Sequence, residues 1–144
     1  MSKVRRRVLV LAPLVVVSIG AGCSREDPQA ALEAAVSELQ DNLEAKRTSA
    51  VLDMMDTSFR AQGDLDKRWA ERMMTGLFLQ NPNVKVITLT RSSRVTGAAS
   101  GASEVQVVLA GGQGLLPERV EPYAVRMEWR RDGGRWKLAQ LQWQ

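Results

Sequence analysis

The stretch Tyr123–Trp143, YAVRMEWRRDGGRWKLAQLQW, decides the fold. Tyr123, Val125, Met127 and Trp129 alternate with Arg126, Glu128 and Arg130. That period of two marks a strand with one apolar and one polar face. Asp132-Gly133-Gly134 signals a tight hairpin turn, and Arg135–Trp143 returns as the partner strand. The register has two solutions. A two-residue turn at Asp132-Gly133 puts Trp136 and Leu138 on the face of Trp129. A three-residue turn puts Ala139, Leu141 and Trp143 there, because a slip of one residue exchanges the faces. Both faces of this last strand are partly apolar, as expected of a central strand covered on both sides.

The strand pattern extends upstream. Glu104–Ala110 places Val105, Val107 and Leu109 on one face, and Gly111-Gly112-Gln113-Gly114 breaks it. The glycine run lacks GxxxxGK[ST], and Leu115-Leu116-Pro117 after it does not open a helix, so it reads as a hairpin loop rather than a phosphate cradle. Thr96–Ser103 is all small residues and reads as a connection. Val84–Val95 is a further strand, begun by the turn Asn81-Pro82-Asn83.

Before that turn the apolar period lengthens. Leu32, Val36, Leu39 and Leu43 form one stripe of a helix over about 28–46, with Asp27 as cap and Pro28 as first helical residue. Thr48 is a cap candidate for a short helix over 49–55, followed by Phe59 as a core anchor. Asp64 is a cap candidate for a third helix with apolar Leu65, Trp69, Met73 and Leu77. Helices followed by a run of strands give an α+β fold, with helices packed in an antiparallel sheet of about four strands.

The N-terminus carries a different message. Lys3, Arg5, Arg6 and Arg7 precede an apolar run from Val8 to Ile19, then Gly20-Ala21-Gly22 and Cys23, the only cysteine. Twelve apolar residues fall short of the ~20 that span a bilayer and suit the core of a cleaved signal peptide. The layout resembles a bacterial lipoprotein signal, with Gly20 where that family usually has Leu. The resemblance implies a signal peptide over 1–22, a lipid on Cys23, a tether over 23–27 and a domain over 28–144. Ser24 implies the periplasmic face of the outer membrane. Cleavage after the small triplet, releasing a soluble secreted protein, is the alternative.

Without residues 1–22 the charge argument changes. The chain has 20 Lys+Arg and 16 Asp+Glu, and the signal holds the entire excess of four. The remainder is neutral, so nothing points to nucleic acid. Without its one cysteine the domain has no thiol for disulfide or redox work.

The layout of 28–144 resembles the nuclear transport factor 2-like (cystatin-like, SnoaL-like) superfamily. The likeness is carried above all by the strand ending in Trp129, the turn Arg131-Asp132-Gly133-Gly134, and Arg135-Trp136-Lys137-Leu138. It implies a strongly curved sheet wrapping the helices as a cone, with a homodimer formed through the sheet. Residues placed to line the cone are Phe59, Trp69, Met73 and Phe78 from the helical side. Tyr123, Met127, Trp129 and either Trp136 or Trp143 would line it from the sheet. Core packing is the competing role for all of them.

The chemistry available is narrow. The chain has no histidine, which removes the usual general base, the commonest metal ligand and the usual triads. The resemblance implies an alternative of ketosteroid-isomerase-like proton transfer by a carboxylate, with Asp53, Asp56 and Tyr123 as candidates. Glu33, Glu38 and Asp41, or Asp64 and Asp66, lack calcium-loop spacing. The pairs Met54-Met55 and Met73-Met74 diverge by ~100° within a helix and cannot chelate from one face. No metal or cofactor is expected. Arg126, Arg130, Arg131, Arg135 and Lys137 are interleaved with Glu121, Glu128 and Asp132 and read as a mixed solvated face.

The sequence therefore reads as a non-enzymatic envelope lipoprotein that binds an apolar small molecule or an envelope protein. A Cys23→Ser variant is expected to lose the lipid mass and membrane fractionation together, measured by intact mass and cell fractionation. A variant still found in the membrane would refute the anchor.

Overall fold

The computed structural model describes residues 27–111 and 122–144. The expected signal peptide, Cys23, most of the expected tether and Gly112–Glu121, including most of the glycine run, lie outside them. The chain order is α1 (Pro28–Glu44), α2 (Thr48–Met54), β1 (Met55–Ala61), α3 (Lys67–Gln80), β2 (Val84–Gly97), β3 (Ser100–Gly111), β4 (Tyr123–Asp132) and β5 (Arg135–Trp143). The α+β expectation holds: the helices pack against one curved sheet of order β1-β5-β4-β3-β2.

Helix α1 follows its sequence pattern. The Asp27 side chain accepts from the Gln29 amide at 3.1 Å, Pro28 opens the helix, and Leu32, Val36 and Leu39 are buried. Elsewhere the caps differ from expectation. Thr48 is the first residue of α2 rather than its cap, and Arg47 occupies the cap without a side-chain bond. In α3 the cap is Asp66, not Asp64. Its carboxylate accepts from the Trp69 amide at 3.0 Å, and that bond holds its carboxyl below the usual aspartate range. The stripe of α3 turns as well: Ala70 and Met74 are buried, while Met73 and Leu77 are exposed.

Among the described residues the sheet has five strands, not about four. The residues after α2, expected only to supply Phe59 as an anchor, form β1 parallel to β5, with Met55 opposite Leu138 and Ala61 opposite Leu141. This segment has little β-propensity of its own, with Phe59 its one aromatic residue. Pairing with β5 and burial of Phe59 and Ala61 make it a strand. Strand β3 begins earlier than its pattern suggested, at Ser100, so most of the small-residue stretch is strand. The reason is space. A Cβ on Gly101 would lie 2.8 Å from Leu32 Cδ2 and 3.3 Å from Trp136, so a larger residue here would require Leu32 and Trp136 to shift from their seats over this part of the sheet. Beside it, buried Ser103 shares a hydroxyl hydrogen bond with Ser93 at 2.9 Å.

The last hairpin uses both registers. The turn is Gly133-Gly134, with Asp132 paired to Arg135 and Trp129 to Leu138. An irregularity between Glu128 and Trp129 leaves Ala139 as an extra residue, so Met127 pairs with Leu141 and Val125 with Trp143. Such a bulge shifts the alternation by one. Trp136 and Leu138 before it, and Leu141 and Trp143 after it, all face the helices. Buried Trp129, Phe59, Leu32 and Leu138 form the centre of the core.

The strands define two ends. The hairpin end holds the turns between β2 and β3 and between β4 and β5. The open end holds Val84, Gly111, Tyr123 and Trp143. Helix α1 runs between them along the outermost strand, β2. Its Gln29 donates to the Ser93 carbonyl at 2.7 Å and accepts from the Val95 amide at 3.1 Å. Three turns later Gln40 donates to the Val86 carbonyl at 2.9 Å and accepts from the Thr88 hydroxyl. Gln62, held at a φ of 50°, does the same for Trp143 beyond the end of β1, donating to its carbonyl at 2.9 Å and accepting from its amide at 3.3 Å. Three glutamine amides thus stand in for missing strand partners. A Gln29→Ala, Gln40→Ala double variant is expected to lose about 1–3 kcal/mol of stability and to self-associate along β2. Urea unfolding and light scattering measure both; an unchanged midpoint in a monodisperse sample would remove this role.

Candidate functional site

The residues expected to line the cone separate into two groups. Phe59, Met127, Trp129 and Trp136 are buried in the core and fill the space between helices and sheet. The Trp129 indole N–H has no hydrogen-bond partner among the described residues. Trp69 and Phe78 are half-buried against that core. Met73 and Tyr123 are largely solvent-facing, at 43% and 44% exposed, and so are Leu77 at 46% and Leu109 at 55%.

These four gather at the open end. Helix α3 starts beside β5, where Trp69 stacks on Trp143 with ring centroids 5.9 Å apart. It ends at the turn over 81–83 that feeds β2. Fourteen residues of helix reach ~21 Å, and the three strand spacings from β5 to β2 cover ~14 Å. The helix therefore bridges the open end. Met73 and Leu77 follow Trp69 at intervals of four, on one side of α3. Tyr123 and Leu109 stand on the helix-facing side of β4 and β3, in the rows of Val107 and Val86. The result is an apolar rim with Trp69, Trp143 and Phe78 behind it. Leu77 and Leu109 were apolar positions in the sequence pattern without a place in the site. The repeat Trp69, Met73, Leu77 was the signal that could have assigned Leu77.

The candidate acid-base residues do not come together. Asp53 is exposed, and its carbonyl accepts from Lys137 Nζ. Asp56 is only 8% exposed, but it faces away from the rim. Its carboxylate accepts from the Ser58 hydroxyl and, at 3.0 Å, from the Ser58 amide, and it lies 3.8 Å from Arg130. The Ser58 hydroxyl, then the Ser58 amide, hold its carboxyl below the usual aspartate range against the opposing effect of burial, with Arg130 adding to the lowering. A proton-abstracting carboxylate needs its pKa raised toward neutrality. Tyr123 is seven residues from Arg130 on β4, ~23 Å along the strand.

Two hollows lie on the outer face of the sheet, away from the helices. One, of about 570 Å³, lies over Thr90, Ser92, Gln106, Gln142 and the exposed ion pair of Arg126 with Glu104 at 3.0 Å. The other, of about 640 Å³, lies at the hairpin end between Arg94 and Arg130, over Ser100, Gly101 and Ala102. Among the described residues, no group of three or more Asp, Glu, Cys or His side chains could hold a metal ion, and no helix is long and apolar enough to cross a membrane.

Comparison with known proteins places the fold. No protein-family model matches the chain, and no curated protein does. Solved structures do. A proposed dehydratase of the nuclear transport factor 2-like family from Streptomyces avermitilis aligns with a TM-score of 0.67 at 11% identity, over 80% of this chain and 93% of that one. An uncharacterised protein with a cystatin-like fold from Caulobacter vibrioides aligns at 0.63 and 10%, over 78% and 85%. Bd1075 of Bdellovibrio bacteriovorus aligns at 0.67 and 13%, over 78% of this chain; the chain spans only 40% of the length of Bd1075. The fold is nuclear transport factor 2-like, or cystatin-like.

The lowered pKa of Asp56 has a consequence for stability. A carboxyl whose folded pKa lies below its unfolded value stabilises the fold above the unfolded value, and that contribution is lost as pH falls through the folded one. An Asp56→Asn variant is therefore expected to be less stable than the native chain at pH 7. The gap should narrow as pH drops below the ordinary aspartate value of 3.8. Urea midpoints across that range test this; a gap independent of pH would assign the loss to packing instead.

Proposed function

We propose that the chain is an envelope lipoprotein, held by a lipid on Cys23 at the periplasmic face of the outer membrane, whose domain binds an apolar small molecule at its open end. The observation that carries this reading is the rim itself. Met73, Leu77, Leu109 and Tyr123 are four large side chains left open to water, carried by α3 and by the open ends of β3 and β4. Exposed apolar surface gathered at one place marks a binding site more often than a stable monomer surface does. The half-buried aromatics Trp69, Trp143 and Phe78 stand behind it.

Binding without catalysis is favoured by the chemistry available to the domain. The domain has no histidine or thiol, and the buried carboxylate is committed to Ser58 and Arg130. Proton transfer of the kind proposed for some proteins of this fold would need a different base. An envelope protein as partner is the second reading, supported by exposed Ile87 and Leu89 on β2. Release as a soluble secreted protein is the alternative to anchoring, and it leaves the binding reading unchanged.

Titration with N-phenyl-1-naphthylamine, followed by probe emission and tryptophan quenching, tests the rim. Burying one leucine contributes about 1.5–3 kcal/mol, so a Leu77→Glu variant is expected to weaken binding at least about tenfold. Leu79, two residues on and ~200° around the helix, is the control, and Leu79→Glu should bind normally. No binding by the native chain, or equal loss in both variants, would refute the site. Native extraction from membranes followed by intact mass then asks which small molecule stays bound.

A further inference from the structure

We infer that the outer face of the sheet, at its hairpin end, docks on anionic phospholipid headgroups, so that the apolar rim points away from the membrane. This rests on the lipid-anchor reading of Cys23 and adds an orientation to it.

The first support is where the chain enters the domain. The start of α1 is fixed at the hairpin end, because Trp136 Nε1 donates to the Pro28 carbonyl at 3.1 Å and Gln29 is bound to Ser93 and Val95. Cys23 lies four residues before Asp27. Four residues span at most ~14 Å. A lipid on Cys23 therefore holds this end close to the bilayer surface, and the open end lies at the far side of the domain.

The second support is charge. Strand pairing sets Arg94, Ala102, Glu128 and Gln140 in one row across the sheet, and Ser100, Arg130 and Lys137 in the next. These rows face away from the helices. Arg94 and Arg130 stand on either side of a floor made by Ser100 and Ala102, and form the hollow of about 640 Å³. Ser58 and Thr96 add hydroxyls to its wall. Small residues between two arginines leave room for a phosphate, which guanidinium groups bind by paired hydrogen bonds. Glu128 opposes an anion here, as Asp132 does at the turn. Asp56, buried and bonded to Ser58, also lies 3.8 Å from Arg130 and offsets part of its charge, while Arg135 and Lys137 add positive charge nearby. Helix α1, on the other side of the sheet, is acidic: it carries Glu33, Glu38, Asp41 and Glu44 and no Lys or Arg. Arg91 of β2, which donates to Ser37 of α1 at 2.9 Å, offsets part of that charge, and α3 carries Lys67, Arg68 and Arg72 against Glu71. An anionic surface attracts the hairpin end of the sheet and is repelled by α1, which favours one orientation.

Hydrogen exchange of the full-chain lipidated protein, reconstituted in vesicles, tests this. Two compositions are compared: phosphatidylcholine alone, and phosphatidylcholine with about a third phosphatidylglycerol. Amides of the Gly97–Ser100 and Asp132–Arg135 turns are expected to exchange more slowly on the anionic vesicles, and the difference should vanish at high salt. An Arg94→Gln, Arg130→Gln variant is expected to weaken docking at least about tenfold while staying in the membrane fraction. Equal exchange on both vesicles would overturn the proposal, and so would protection at the Tyr123 end. Slowed exchange with inorganic phosphate and no vesicles would assign the hollow to a soluble anion instead. A Cys23→Ser chain that remains in the membrane would overturn the anchor reading separately.

Discussion

One extra residue on β5, Ala139, lets the rest of the fold exist. Without it, the two halves of the last strand would face opposite ways, and either Trp136 and Leu138 or Leu141 and Trp143 would leave the core. With it, the first half meets Leu32 over Gly101 at the hairpin end, and the second half meets Trp69 at the open end. Strand β1 also depends on this strand, since among the described residues β5 is its one partner in the sheet. The core, the parallel pair and the seat of α3 all rest on the same few residues.

Helix α1 and strands β2 to β5 were legible because each carries its own period: 3.6 in Leu32, Val36 and Leu39, and 2 in Val125, Met127 and Trp129. The two proposed registers of the last hairpin were each half right, because period alone does not reveal a bulge that joins them. Strand β1 was not legible. Its partner lies about eighty residues away in sequence, and its own residues prefer no particular structure. The cap of α3 was misplaced by two residues because Asp64 and Asp66 are chemically alike; only the geometry of the Trp69 amide distinguishes them. The site was half legible for a related reason. Apolar positions on a helix are the same whether they meet a core or an opening, so Phe59 and Met73 looked alike in the sequence and separate only by burial.

The two ends of the domain differ in kind. At the hairpin end, glycine and short side chains on β3 allow close approach, arginines stand around a hollow, and the chain arrives from its N-terminal side. At the open end, large apolar side chains remain uncovered. The shift of Asp56 belongs to the hairpin half of the sheet, where hydrogen bonds from Ser58 keep it charged. On the proposed reading, that division separates the means of holding the protein in place from the surface that meets a ligand.

The cover of the β2 edge shares this concern with surroundings. Glutamine amides neither gain nor lose a proton over the ordinary pH range and carry no net charge for salt to screen. An edge closed by carboxylates or ammonium groups would loosen in acid or brine. One closed by Gln29 and Gln40 keeps the same grip in both, so this edge strand is guarded by groups indifferent to the acidity and salt of the medium.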